Sequence, residues 1–354
     1  MFVKNSQQNK KVLVALSGGV DSAVTAKILL SQGYQVAAVY CLFWKEGAAD
    51  SGLASAQAVA AQLKIPFLTL DLHQVFKEKV VDYFLAEYAA GLTPNPCVRC
   101  NKQVKLGELL KYAAAEGFDY LATGHYLEVK GRPGKRYLLK GRDPKKDQSY
   151  FLYSLNAQEL DHLLFPLGKY KKTRTRQEAR KEHLVNAEQA ESQDICFLSG
   201  PHNNFLKRHL KLQPGPIILE ETGENIGVHQ GLPLYTIGQR RGLEVGGTGP
   251  YYVVGFDYDK NILKVAATWN DTRLYRQDLL AKNINWNYPR QPRKNFSCRA
   301  VIRYGHPAEA CRLNPTPEGE IKVIFKKPQR AITAGQSIVF YRGRRLLGGG
   351  IIAS

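Results

Sequence analysis

The chain has 354 residues, with 50 Lys plus Arg against 31 Asp plus Glu, giving a formal charge of +19. Hydrophobic residues make up 44% and charged residues 23%, which excludes wholesale disorder, and the length asks for two or three domains rather than one core. No uncharged apolar run approaches the ~18 residues of a membrane span, and the polar, basic start at residues 1–11 precedes an apolar run too short for a signal peptide. The expectation is a cytoplasmic protein with a polyanionic partner and no membrane.

From residue 11 to about 194, short apolar runs alternate with helical patterns. Residues 11–16, 35–40, 65–70 and 120–123 read as buried parallel strands, and 22–32, 55–63, 73–88 and 101–116 as the helices between them. Gly33 and Gly117 follow two of those helices, where a positive φ is wanted. Further helices are expected over 156–164 and 175–183, each with a polar cap and a Glu three positions on, Glu159 and Glu178. The alternation predicts an α/β fold, a doubly wound parallel sheet that binds ligands beyond the carboxyl ends of its strands. After about residue 210, strands at 217–220, 251–257, 262–267, 297–304, 321–325, 337–341 and 346–351 recur with Gly and Pro between them. These predict a small β-rich central domain and a C-terminal β-barrel. The division is 1–205, 206–278 and 279–354.

The first chemical signal lies between strand one and helix one: Ala15, Leu16, Ser17, Gly18, Gly19, Val20, Asp21 and Ser22. Two glycines let backbone close on a phosphate, and the helix start behind them offers free N–H groups and a positive dipole end. No Gly-Lys-Ser/Thr follows and no GxGxxG is present, so neither a Walker loop nor a dinucleotide loop is indicated. Ser-Gly-Gly-x-Asp-Ser in this place resembles the PP-loop of ATP pyrophosphatases, which split ATP between the α- and β-phosphates to adenylate a substrate.

Six cysteines are too few for a disulfide scaffold. Cys41, Cys298 and Cys311 have apolar, strand-like surroundings and read as small buried hydrophobes. Cys97, Cys100 and Cys196 have polar neighbours. Cys100 is expected just before a helix N-terminus beside Arg99 and Lys102, features that lower a thiol pKa. Two placed thiols plus ATP activation describe sulfur transfer to an adenylated carbonyl, one thiol carrying sulfur as a persulfide and the other forming a disulfide as it leaves.

With these segments in view, the chain resembles the bacterial tRNA-specific 2-thiouridylase family from end to end. The resemblance is carried by residues 17–22, 93–102, 122–126, 146–153, 194–197, 227–231, 236–243, 303–304, 335–337 and 347–352. It implies thiolation at C2 of the wobble uridine in tRNAs for Lys, Glu and Gln, and a PP-loop domain followed by a small central domain and a β-barrel. It also implies ATP, with Mg²⁺, on Ala15–Ser22, Cys41 and Gly124, with Cys100 as nucleophile, Cys196 as persulfide carrier and a transient Cys100–Cys196 disulfide. Asn95, Pro96 and Cys97 would face the target base, while His125, Lys146, Asp147, Gln148, Arg303, Tyr304 and Gln336 would contact tRNA. The sulfur would come from a donor protein, a cysteine desulfurase or a relay protein.

The chain departs from the family at Cys97, where many members carry an Asp with an acid/base role. A thiol is a weaker base, so the proton-transfer role at this position is open. Cys97, Cys100 and Cys196 could instead ligate a [4Fe-4S] cluster with one open iron position, or form a zinc-like set lacking a fourth ligand. A persulfide site without metal is the other reading. Basic runs at 130–146, 169–181 and 326–345, with Tyr and Phe interleaved, fit an RNA lying across all three domains. The rivals are a PP-loop amide-forming synthetase and a non-catalytic RNA-binding protein with a vestigial loop. The first needs neither the thiols nor the charge, and the second would not keep Asp21 with both serines and cysteines.

Overall fold

The computed structural model describes residues 9–45, 51–190, 195–246, 249–287 and 295–353. Strands β1 (Lys11–Ala15), β2 (Gln35–Leu42), β3 (Phe67–Asp71) and β4 (Tyr120–Ala122) are followed by a hairpin of β5 (Leu127–Lys130) and β6 (Tyr137–Lys140) and by a two-residue strand β7 (Leu163–Leu164). The first sheet runs β3-β2-β1-β4-β7 and all its pairs are parallel. Val12, Leu13 and Val14 have no exposed surface, as expected of a strand covered on both faces. Strand order reverses at β1, so the loops leaving β1 and β4 open into the crevice at the switch point.

Several helices differ from the sequence reading, each for a local reason. The helix expected from residue 101 begins at Pro96, capped by Asn95, whose Oδ1 accepts from the Val98 N–H at 3.3 Å. It continues through a wide π turn over Asn101–Lys105 into Gly107–Ala115. Cys100 therefore lies inside the helix rather than ahead of its N-terminus. The helix expected over 156–164 stops at Asp161, and Leu163–Leu164 becomes β7 because the outer edge of β4 needs a partner. The helix expected over 175–183 begins at Lys172, so Glu178 is not its capping residue; Asp143 Oδ2 accepts from the Lys172 N–H at 2.9 Å instead. The helix over 55–63 starts earlier, at Ser51.

A helix, His202–His209, leads into the central sheet of β8 (Gly215–Leu219), β9 (Glu224–His229), β10 (Tyr252–Asp257) and β11 (Ile262–Ala266), ordered β10-β11-β8-β9. The last unit comprises β12 (Tyr275–Trp286), β13 (Phe296–Val301), β14 (Glu309–Pro315), β15 (Ile321–Arg330), β16 (Ser337–Arg342) and β17 (Arg345–Ile352). Neighbours run β12-β15-β14-β13-β16-β17, and pairing of β12 with β17 closes the barrel. Leu313, Val323, Phe325, Ile338, Phe340 and Leu347 fill its interior. The β5–β6 hairpin extends this sheet, with Arg345 opposite Leu139 and the Lys140 N–H bonded to the Arg344 carbonyl at 2.8 Å.

The three units meet just ahead of the Pro96 helix. The Thr93 N–H donates to Ala334 O at 2.9 Å, Gln336 Nε2 donates to Thr93 O at 3.0 Å, and the Thr93 and Thr236 hydroxyls are 3.3 Å apart. At Gly335 (φ +88°) an added Cβ would sit 2.9 Å from the Thr93 nitrogen, so only glycine fits.

Candidate active site

The Ala15–Ser22 loop joins β1 to the helix Val20–Ser31. Leu16 and Val20 are buried and tie it to the core, the Leu16 N–H donating to Val39 O at 2.9 Å. Gly18 takes φ +83°, and an added Cβ would lie 2.5 Å from the Gly52 carbonyl oxygen. Its own carbonyl accepts from Ser55 Oγ at 2.8 Å and Asn186 Nδ2 at 2.5 Å. Ser22 Oγ donates to Gly19 O at 2.9 Å and accepts from the Ser17 N–H at 3.2 Å. The N-cap Gly19 has no side chain with which to cap the helix, and among the described residues none caps it, which leaves its first N–H groups for a ligand. Gly124, leaving β4, packs so closely that a Cβ would stand 3.0 Å from Asp21 and the Ser22 nitrogen. This close packing joins Gly124 to the loop. Cys41, at the carboxyl end of β2, is half-buried, and burial pushes its thiol up to about 12.

The thiols gather around Lys105. Cys100 is buried and Cys97 half-buried on the Pro96 helix, and Cys196 is exposed. Burial, helped by the nearby Cys196 and opposed by Lys105, raises Cys97 to about 11. Burial also holds Cys100 well above the ordinary thiol range, opposed chiefly by the Lys105 ammonium. This overturns the expectation of a lowered Cys100 pKa. Arg99 donates to Lys79 O at 2.6 Å and lies over the Tyr83 ring, and Lys102 pairs with Glu159 at 2.7 Å, so neither serves the thiol. Burial works against the Lys105 charge, but Cys100, Cys196, Cys97 and Cys41 outweigh it and hold the ammonium above its ordinary value. In an α-helix, residues five apart point about 140° away from each other. The π turn at Asn101–Lys105 brings Lys105 round to the thiols.

His125 faces the same cluster. Burial and Lys105 drive its pKa down to about 3, and its Nδ1 lies 2.7 Å from Thr123 Oγ1. Phe197 positions Cys196: it is 2% exposed and packs on Phe76, Phe84 and Phe205 with ring centroids 5.5 to 5.7 Å away. Asp194, in the same sequence segment, lies outside the described residues. Phe197→Ala should cost about 3–5 kcal/mol by opening this cluster. Phe197→Leu should keep the fold and slow sulfur loading of Cys196; chemical denaturation and persulfide labelling measure the two effects.

The remaining candidates are spread more widely. Asn95 and Pro96 start the nucleophile helix, with Asn95 also bonded to Tyr150. Asp147 is engaged inside the protein, accepting from the Gly141 and Ser149 N–H groups and the Ser149 hydroxyl at 3.0 to 3.1 Å, while burial raises its pKa. Gln148 Oε1 accepts from the Tyr126 N–H at 3.0 Å, and Lys146 is half-exposed beside it. Arg303 is exposed and bonds His306; Tyr304 is 43% exposed and packs against Phe151 with the rings tilted and their centroids 4.4 Å apart. Gln336 ties the barrel to Thr93. Cys298 and Cys311 face each other across β13 and β14 with sulfurs 3.6 Å apart, a pairing that the reading as separate apolar residues did not foresee.

Among the described residues no three His, Cys, Asp or Glu side chains converge as metal ligands. Cys100 is buried and Cys196 is exposed. Cys97, Cys100 and Cys196 lie near one another around Lys105 without converging into one ligand set, and with that cation among them the arrangement does not fit an iron–sulfur cluster or zinc. Among the described residues no helix is long and apolar enough to cross a membrane.

Three family models cover most of the chain: a tRNA methyl transferase HUP domain over residues 10–200, a tRNA methyl transferase PRC-barrel domain over 203–267, and an aminomethyltransferase beta-barrel domain over 276–352. The chain is 42% identical to the tRNA-specific 2-thiouridylase MnmA of Idiomarina loihiensis, covering 98% of this chain and 97% of that one. It is 43% identical to the protein of the same name in Carboxydothermus hydrogenoformans, covering 97% of each. A solved structure, the U34-tRNA thiolase NcsA from Methanococcus maripaludis with its [4Fe-4S] cluster, matches at 20% identity and a TM-score of 0.37, over 58% of this chain and 69% of that one. The domain models are described by methyl transfer, whereas these curated relatives are named for thiolation, for which the site has the thiols.

Proposed function

The chain belongs to the tRNA-specific 2-thiouridylase family, and from that premise we propose how its residues divide the labour of tRNA 2-thiolation. The loop Ser17–Ser22 holds the triphosphate of ATP, which brings Mg²⁺ with it. The uridine C2 oxygen attacks the α-phosphorus, pyrophosphate leaves, and the oxygen becomes a leaving group as AMP. Cys196, exposed on its Phe197 anchor, takes a sulfane sulfur from a cysteine desulfurase or relay protein. The Cys100 thiolate attacks the Cys196 sulfur of that persulfide, forming the Cys100–Cys196 disulfide and freeing hydrosulfide. Hydrosulfide adds to C2, AMP departs, and an external thiol reductant restores both cysteines.

Lys105 stabilises the thiolate, and neutral His125 adds no competing charge. Cys97, with its pKa near 11, stays protonated at neutral pH and so can donate a proton but not serve as a base. The target base leaves its stack to reach this site. The substrates are the tRNAs for Lys, Glu and Gln, and the reaction belongs to the cytoplasm. Asn95, Lys146, Arg303 and Tyr304 meet the anticodon region.

The gathering of Cys41, Cys97, Cys100 and Cys196 about one cation, Lys105, carries this reading. The test is anaerobic turnover with tRNA, ATP and a persulfide donor, with iron counted per chain. AMP, pyrophosphate and 2-thiouridine should appear in equal amounts without iron. ADP release in place of AMP, or inactivity until a cluster is reconstituted on Cys97, Cys100 and Cys196, would overturn it. Cys97→Ser separates the two readings: it should retain activity here, and lose it if Cys97 is a ligand.

The basic runs supply affinity. Lys171 and Arg174 are exposed at the start of the helix Lys172–Lys181, whereas Lys172 is buried. Lys171→Ala with Arg174→Ala should flatten the dependence of log K on log salt by about 0.7 to 0.9 for each phosphate no longer neutralised, read by filter binding at several ionic strengths.

A further inference from the structure

The sequence shows no lysine within the phosphate loop, yet the fold delivers one. Lys172 starts a helix 151 positions downstream of Asp21, and its ammonium lies 2.7 Å from both Asp21 carboxylate oxygens. The residue is 9% exposed. Tyr126 completes the arrangement, its hydroxyl 2.6 Å from Asp21 Oδ1 and 2.9 Å from Thr175 Oγ1. Asp143 fixes the backbone at Lys172, which aims the side chain at the first turn of the helix Val20–Ser31. That turn carries the N–H groups left open for phosphate, so the ammonium stands at the rim of the anion site.

We propose that Lys172 is the pyrophosphate-binding cation of this loop, held by Asp21 until the nucleotide arrives and then shared with its β- and γ-phosphates. A walled-in ammonium at a helix N-terminus meets a polyphosphate with little reorganisation, because its charge and position are already fixed. With Lys172 shared with the phosphates, the Asp21 carboxylate would be free to hold the divalent cation that accompanies ATP. Pyrophosphate then departs against a cation that Asp21 can reclaim. This rests on the reading of Ser17–Ser22 as a pyrophosphate loop and assigns Lys172 a role distinct from the exposed lysines and arginines around it.

The experiment compares equilibrium binding of ATP, pyrophosphate and AMP to the full chain. Wild type should bind ATP far more tightly than AMP. Lys172→Met should weaken ATP and pyrophosphate roughly 10- to 100-fold and leave AMP unchanged. Lys172→Arg, which keeps the ion pair and the fold, should fall between, and tRNA affinity should hold in both. If Lys172 only fastens its helix to the loop, ATP and AMP will weaken together, or neither will, and the proposal fails. Should Lys172→Met not fold, equal weakening of ATP and AMP in Lys172→Arg, or no change, overturns it. If wild type itself does not distinguish ATP from AMP, the loop reading fails rather than the assignment of Lys172.

Discussion

A Cys196→Ser chain should still bind tRNA and release pyrophosphate, but its yield of 2-thiouridine should fall by at least ~10³-fold, as expected when a covalent carrier is removed. A serine hydroxyl cannot hold a sulfane sulfur. The exposed thiol at this position is the one a donor protein can reach, whereas Cys100 is buried. Cys100→Ser should be as inactive, for a different reason that the same samples reveal. In Cys100→Ser the persulfide should accumulate on Cys196, because no thiolate remains to release it. In Cys196→Ser no persulfide should form. Mass spectrometry of the tRNA nucleosides and of the cysteine peptides reads both outcomes, and a persulfide found on Cys100 instead would reverse the two roles.

Lys105→Gln should lower thiolation at pH 7.5 by about 10- to 100-fold and move its pH profile to higher pH. Burial already holds Cys100 above the ordinary thiol range, and Lys105 is the main influence pulling it back. Removing the ammonium raises that pKa further. Below the pKa, each unit of increase costs about tenfold in thiolate, while above it the thiol is ionised in both proteins. With Cys100 held well above the ordinary thiol range in both proteins, neither is largely ionised from pH 6 to 10, so each rate should climb with pH while the variant lags by a nearly constant factor. His125, with its pKa near 3, stays neutral across this range and should put no inflection near 6.5 in either profile. Lys105→Arg should restore part of the rate. Single-turnover rates from pH 6 to 10 decide the matter.

Much of the molecule is legible in the sequence because its signals are local. Apolar runs such as Val12–Val14 mark the buried strands, two glycines mark the phosphate loop, and short apolar runs at all-β spacing mark the barrel strands at Ile321 and Ser337. What escaped depends on distance or on departures from regular geometry. Lys172 meets Asp21 only through the fold. Lys105 reaches Cys100 only because a π turn breaks the α-helical spacing, and the nearer cations Arg99 and Lys102 are taken up by Lys79, Tyr83 and Glu159. Strand β12 hides behind a register shift near Asn283, which takes φ +53°, and β14 ends in Asn314 and Pro315, residues that read as loop. Asp147 and Gln148 look like surface groups in a polar segment, yet their side chains are occupied in bonds that fasten the hairpin and its neighbours.

The hairpin that the first half of the chain lends to the barrel sets an order of events during synthesis. Lys140 bonds to Arg344, 204 positions later, and Arg344 also reaches back to Glu128. At roughly 5–20 residues per second, β6 leaves the ribosome about 10 to 40 seconds before the strand it will join exists. During that interval its outer edge is open to any other unpaired strand. Lys130, Lys135, Arg136 and Lys140 crowd the hairpin with like charge, which repels a second copy of the same edge on a neighbouring nascent chain. The basic run proposed to meet RNA would thus also guard the newborn polypeptide against its own kind.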